Sequence, residues 1–391
     1  MMIINGRIIG MAGKDYENGY ITIDDGKIIG IGNMSDLQDG LKDNVEIIDA
    51  KGYNVLPGFV DAHCHLGLIN DSVGFEGEDV NELTDPVTPH LRAIDGIYHL
   101  DRCFTDAIEA GVTTVVTGPG SGNVIGGQFA AIKTSGSRIE EMMLKAPVAM
   151  KVAFGENPKR VYFQKKQMPT TRMATAALLR ENLMRAKEYK LKLEDYNKDK
   201  KKNDKPVYDM KMESLLMVLN REIPLKAHAH RADDIITAIR LAKEFDLKIT
   251  LEHCTEGYLI KDILLSEGIH AVIGPLLTDR CKIELKNQSL KTPGILSRAG
   301  VKVAIMTDHP CVPIQYLSFC AAMAVREGMD ENEALKAITI NAAEITGIDN
   351  RVGSLEKGKD GDIIIMDGNP LDIRTKIKTT IIGGKVVFNS K

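Results

Sequence analysis

Cysteine is scarce in this chain: six in 391 residues, and no two of them form a CxxC pair. Thiols this sparse read as free cysteines and exclude a disulfide framework. No uninterrupted apolar run approaches the roughly 18–20 residues that span a bilayer. The N-terminal MMIINGRIIGMAGKDYENGY lacks the basic, apolar, small-residue order of a secretory signal, so the expected compartment is the cytoplasm. A large charge of either sign is missing too. Lys and Arg number 50 against 54 Asp and Glu, a formal net charge of −4, which gives no reason to expect a nucleic-acid or membrane partner. No segment repeats at a fixed period, and no GxxxxGK[ST] phosphate loop completes.

What remains is an ordinary globular composition, 43% hydrophobic and 27% charged. At roughly 150 residues per domain the length suits two or three domains, though an α/β barrel can use about 250 residues as one. Both ends read as β. MIINGRIIG and GYITIDDGKIIGIG carry β-branched residues around Asn5-Gly6 and Asp25-Gly26, which are hairpin signals. GSLEKGKDGDIIIMDGNP and IKTTIIGGKVVFN repeat the pattern at the C-terminus. Isolated hairpins are marginal in water, so residues 1–56 and 351–391 are expected to meet as one discontinuous β-sandwich domain.

Residues 57–350 differ. Short, nearly all-apolar strands are expected at VLPGFVDAHCH, GVTTVVTGPG, APVAMKVAF, IPLKAHAH, LKITLEHC, HAVIGP and GVKVAIMTDH, with a less distinct one near QFAAIKTSG. Amphipathic helices such as ADDIITAIRLAKEFD alternate with them. This is the pattern of parallel strands buried on both faces, and it predicts an α/β fold with a distorted TIM (β/α)8 barrel. A doubly wound open sheet is the second reading. The charge run at 197–205 is expected to be a solvated loop.

The ends of these strands carry the chemistry. His63 and His65 sit at i and i+2, so in extended backbone they share a face and can reach one ion. Lys151 lies inside an apolar strand, where an unpaired ammonium is costly and tends to lose its proton. His228 and His230 end IPLKAHAH, His253 ends LKITLEHC, and Asp308 follows GVKVAIMT. Alone, each has an ordinary structural explanation: a snorkelling lysine, a hydrogen-bonded histidine, an aspartate capping a helix. Together they crowd the carboxyl ends of barrel strands, where barrel active sites lie. Cys64 and Cys254 neighbour these positions but alternate away from them, as buried small hydrophobes.

With PGFVDAHCH, Lys151, KAHAH, LEHC and MTDHP in place, the chain resembles the amidohydrolase superfamily, and within it the imidazolonepropionase-related branch, which also holds dipeptide and acyl-amino-acid hydrolases. The resemblance covers nearly the whole chain. It implies that His63, His65 and Asp308 bind a first metal. By the same resemblance Lys151, if carboxylated by carbon dioxide, bridges to a second held by His228 and His253, and His230 faces substrate or solvent. It also implies one or two divalent ions per chain, zinc foremost, with iron and manganese also suited to such donors. Hydrolysis of an amide-type C–N bond would then use hydroxide generated at the metal, with Asp308 moving the proton and His253 or His230 holding the oxyanion. Mononuclear relatives use only the first-, fifth- and eighth-strand ligands. Asn123 in the glycine-rich 118–128 loop, and Arg160 and Tyr162 after the Lys151 strand, are candidates for binding a small-molecule substrate. Oligomerisation is left open. The alternatives are deamination of a nitrogen heterocycle, disfavoured because the position two after His228 is His230 rather than glutamate, and a non-catalytic barrel acting as a binding subunit.

Overall fold

Alternating isoleucines and valines at both chain ends pair across the length of the sequence. In the computed structural model, which describes residues 1–37, 45–71 and 73–390, β1 (Met2–Ile8), β2 (Tyr16–Asp24), β3 (Lys27–Asn33), β4 (Ile47–Asp49) and β5 (Asn54–Pro57) come from the N-terminus. The barrel supplies β6 (Phe59–Cys64), β7 (Val112–Thr117), β8 (Ile125–Lys133), β9 (Met143–Ala153), β10 (Leu225–Ala229), β11 (Ile249–His253), β12 (His270–Ile273) and β13 (Val303–Ile305). The C-terminus adds β14 (Ile363–Met366), β15 (Ile377–Ile382) and β16 (Lys385–Asn389).

The terminal strands join in the order β16-β15-β14-β5-β1-β2-β3, with β4 also on β1. Their inward side chains, among them Ile3, Ile21, Ile28, Val55, Ile363 and Ile381, form one core. The sheet therefore folds over a shared apolar interior, as the two β-rich ends required. Asp25-Gly26 makes the expected β2–β3 hairpin, with φ of 45° and 73°, as a tight primed turn needs. Asn5-Gly6 does not turn the chain. It lies inside β1, where Asn5 (φ 56°) marks a bulge in the β1–β2 register. A Cβ on Gly6 would stand 2.5 Å from Val55 Cγ2, so glycine is there for close packing.

The second sheet runs β13-β12-β11-β10-β9-β8-β7-β6. Parallel pairs link β6 to β7 and each successive pair from β9 to β13. Closure between the first and last strands rests on loops: Asp308 N donates to His63 O and His65 N to His309 O. Asp61 bonds both the backbone and the hydroxyl of Thr307. One strand departs from the parallel expectation. β8 runs antiparallel to both β7 and β9. The 118–124 connection explains it, because a parallel return needs a crossover of a dozen or more residues. Helices cover the barrel elsewhere, the longest being Arg172–Lys198. The lysine run from 200 to 205 that follows it is exposed. Among the described residues no helix is long and apolar enough to cross a membrane.

Candidate metal centre

Strand register sets the site. His228 on β10 aligns with Glu252 on β11, and Lys226 with Thr250, so Lys226, His228 and Glu252 all point into the barrel. Strict alternation would send His253 outward. Instead His253 and Cys254 adopt left-handed backbone, with φ of 68° and 47°. That conformation is strained for residues with side chains, and it turns the His253 ring inward to 4.4 Å from His228 and 4.5 Å from His230, centroid to centroid. Asp308 is also left-handed, at φ 54°. The two strained turns together bring a histidine and a carboxylate to one mouth.

Two donor groups result. One ligand atom from each of His63, His65 and Asp308 lies within 4.8 Å of the others, and the same holds for His228, His230 and His253. Asp308 Oδ1 stands 3.4 Å from His65 Nε2 and 3.6 Å from His63 Nε2. Donors about 2.1 Å from a shared ion stand about 3.4 Å apart in a tetrahedron. Lys151 Nζ is 3.1 Å from His63 Nε2. The strand histidines, Lys151 and Asp308 are thus brought together. His230, expected to face substrate or solvent, is buried among the donors.

The outer contacts fit a cation as well. His65 Nδ1 bonds the carbonyl of Gly118 at 2.7 Å and His253 Nδ1 that of Gly274 at 2.8 Å. A carbonyl only accepts, so Nδ1 carries the proton and Nε2 keeps its lone pair for a metal. Asp308 Oδ1 and His230 Nε2 are buried with no hydrogen-bond partner, an unusual cost that a bound ion removes. Burial holds His63, His228 and His253 well below the usual imidazole range, and His230 at about 4. The rings are therefore neutral ligands. Burial works against ionising Asp308, yet the nearby His253, His65 and Lys151 keep its carboxyl well below the usual range. Burial lowers Lys151 to about 8, which gives a substantial neutral amine near physiological pH.

Three further charges were not singled out by sequence reasoning. Glu252 Oε2 lies 3.0 Å from His63 Nδ1, poorly aligned for a hydrogen bond, and 2.9 Å from Lys226 Nζ. Lys226 also bonds the carbonyl of Ala62. A signal existed for both, since each is a charge inside an apolar strand, like Lys151. Glu284, in a 3-10 turn after β12, is buried 3.6 Å from His230 Nε2 and 3.9 Å from His228 Nε2. Nothing in CKIELKNQ sets it apart. Two of the expected substrate contacts are committed to the scaffold. Tyr162 is fully buried and donates to Asn123 Oδ1 at 2.6 Å, while Asn123 Nδ2 donates to Glu82 O and Thr88 Oγ1. Those polar groups bind the loop to its scaffold. Arg160 is exposed beside Glu156, in a groove it shares with Glu284. Cys64 and Cys254 are buried in the apolar core.

The amidohydrolase family profile matches residues 54–387. The chain belongs to the amidohydrolase family. It is 26% identical over 393 residues to amidohydrolase tasK of Hapsidospora irregularis, covering 95% of this chain but only 40% of that protein. It is 24% identical to the imidazolonepropionase of Fusobacterium nucleatum subsp. nucleatum, covering 90% of this chain and 85% of that one. A crystal structure of an amidohydrolase from Thermotoga maritima MSB8 superposes with a TM-score of 0.95 at 41% identity, covering both chains completely. Deaminases are among the relatives too.

Proposed function

We propose that this amidohydrolase cleaves an amide-type C–N bond in a small molecule, either a cyclic amide or a dipeptide or acyl amino acid. The observation that carries the reading is the pair of buried donor triads at one barrel mouth, with Lys151 against His63. His63, His65 and Asp308 would hold one divalent cation, zinc being the best match to imidazole and carboxylate donors. His228 and His253 would hold a second, and Lys151 would join the two sites as a carbamate. Such cations supply Lewis acidity and make water acidic enough to attack at neutral pH.

The chain's residues do the rest. Asp308, held ionised, accepts the proton of the attacking water and returns it to the leaving nitrogen, so the C–N bond breaks to an amine and a carboxylate. His253, with its Nδ1 proton given to Gly274 O and its Nε2 kept for the cation, has no proton left for an oxyanion, so that charge would fall to the cations. Glu252, braced by Lys226, keeps the His63 ring turned toward the mouth. The experiment is a screen of hydantoin-like rings, dipeptides and N-acyl amino acids with protein stripped of metal and then reloaded with zinc. Turnover lost on stripping and restored on reloading supports the reading. Absence of hydrolysis across all three classes by zinc-loaded protein counts against it.

Deamination is the second reading, because Glu284 brings to the fifth-strand histidines the carboxylate that their own strand lacks. Release of free ammonia from a nitrogen heterocycle, with the ring intact, would select it.

A further inference from the structure

Glu284 is the buried carboxylate that neither the strand pattern nor the two triads account for. Its Oε2 is held by the backbone N–H of Glu156 at 3.0 Å, at the start of helix Glu156–Gln164. The approach is tight. Gly155 has φ 81°, and a Cβ there would stand 2.7 Å from Glu284 Oε2. With Oε2 fixed, Oε1 is aimed at the histidines, 3.6 Å from His230 Nε2 and 3.9 Å from His228 Nε2. Lys282 Nζ is at 3.9 Å, the outer limit of an ion pair.

Both facing atoms, Glu284 Oε1 and His230 Nε2, are buried and lack hydrogen-bond partners. A spacing of 3.6 Å is too long for a good hydrogen bond. It is close to the roughly 3.4 Å edge between donors sharing a tetrahedral ion. His230 is prepared in the same sense, its Nδ1 being engaged by Thr255 Oγ1 at 2.7 Å.

We propose that Glu284 is a further donor to the second divalent cation, approaching on the His228 and His230 side from outside the group that those two form with His253. The inference rests on the metal-dependent reading above and deepens it. With Glu284 and three histidines beside the shared Lys151 carbamate the second cation would be filled from the protein side, whereas the first, with His63, His65 and Asp308, has one donor fewer and keeps a position for water and substrate. The structure then divides the labour. His63, His65 and Asp308 form the open, reactive site. The second cation ties the loop after β12 to the barrel mouth through Glu284.

The test titrates metal-stripped full-length protein with zinc against a chromophoric chelator, for wild type and Glu284→Gln. Two tight equivalents are expected in the wild type. In the variant, one should weaken at least about 100-fold, more than the loss of an outer-shell contact would cause. Circular dichroism checks that the variant folds. If it does not, anomalous diffraction from zinc-loaded wild-type crystals decides the matter, with Oε1 expected at about 2.0–2.2 Å from the ion. Two equally tight equivalents in both proteins, or an ion with Oε1 beyond contact, overturn the proposal and leave the hydrolase reading intact. So does turnover lost in Glu284→Gln with both equivalents retained, which would place Glu284 on the substrate. A single equivalent in the wild type overturns the proposal alone, and none at all removes both.

Discussion

Two clusters of buried charge lie at opposite ends of β8, and they are built on opposite terms. Beyond its far end, Lys133 pairs with Asp360 at 3.0 Å and with Asp362, Arg351 grips Asp360 through two 2.8 Å bonds, and Gly383 N donates to Asp362. At this joint between barrel and terminal sheet, no side-chain atom of Lys133, Arg351, Asp360 or Asp362 is buried without a partner. The barrel mouth has as many charges, yet Asp308 Oδ1, Glu284 Oε1, His228 Nδ1 and His230 Nε2 are all left bare. Burying a charge is tolerable when its hydrogen bonds are complete. The joint therefore needs nothing further, and the mouth needs a cation. Left-handed backbone at His253 and Asp308 adds strain at the mouth alone, as expected where geometry is set by chemistry rather than stability.

The largest effect should come from Asp308→Asn. Loss of a positioned acid–base group typically lowers kcat by about 10²–10⁴. Asparagine tolerates left-handed backbone well, so the melting temperature of metal-free protein should not fall. Metal content must be measured alongside, and near-normal turnover with metal retained would remove Asp308 from the mechanism. The mirror experiment is Lys133→Met, which strands Asp362 and weakens the hold on Asp360. Breaking a buried pair by removing one partner costs about 3–5 kcal/mol, to be read from urea unfolding, while kcat of the metal-loaded enzyme at 25 °C should not change. A fall in kcat with unaltered stability would erase the contrast between the two ends.

A smaller change is expected from Glu252→Gln. Outer-shell partners of metal-binding histidines typically contribute 10–100-fold in metal affinity. The variant should weaken zinc binding at the His63 site within that range, as measured by chelator competition. Unaltered affinity would mean that Lys226 and Glu252 serve only to fill the barrel.

Much of this was legible in the sequence, for reasons that also mark where legibility ended. Apolar strands ending in histidine or aspartate stood out because burial on both faces leaves few other polar residues in them. The direction of β8 was missed, although the short glycine-rich 118–124 connection is the very feature that forbids a parallel return. Lys226 and Glu252 meet the test that picks out Lys151, but that they answer each other depends on strand register. Glu284 reaches the mouth from a loop with no periodicity. His253 shares the barrel interior with its neighbour Glu252 only because of a left-handed turn that no side-chain pattern announces.

The finest test concerns acid. At the joint, burial opposes ionisation of Asp360, but Arg351, Lys133 and Lys27 outweigh it and hold the carboxyl well below its usual range. A carboxyl depressed in the folded state contributes stability that is fully present above the unfolded value, about 3.9. That contribution drains away as pH falls toward the folded value, because the unfolded chain takes up the proton first. Melting temperature should therefore drop below about pH 4 in wild type. The mouth histidines and any bound cation also respond to acid, so the wild-type slope alone does not isolate the joint. The difference between wild type and Asp360→Asn does, since both share the mouth. The variant should start lower and lose less over the same interval, and parallel curves would show that the joint's charges, however well paired, add nothing that protonation can take away.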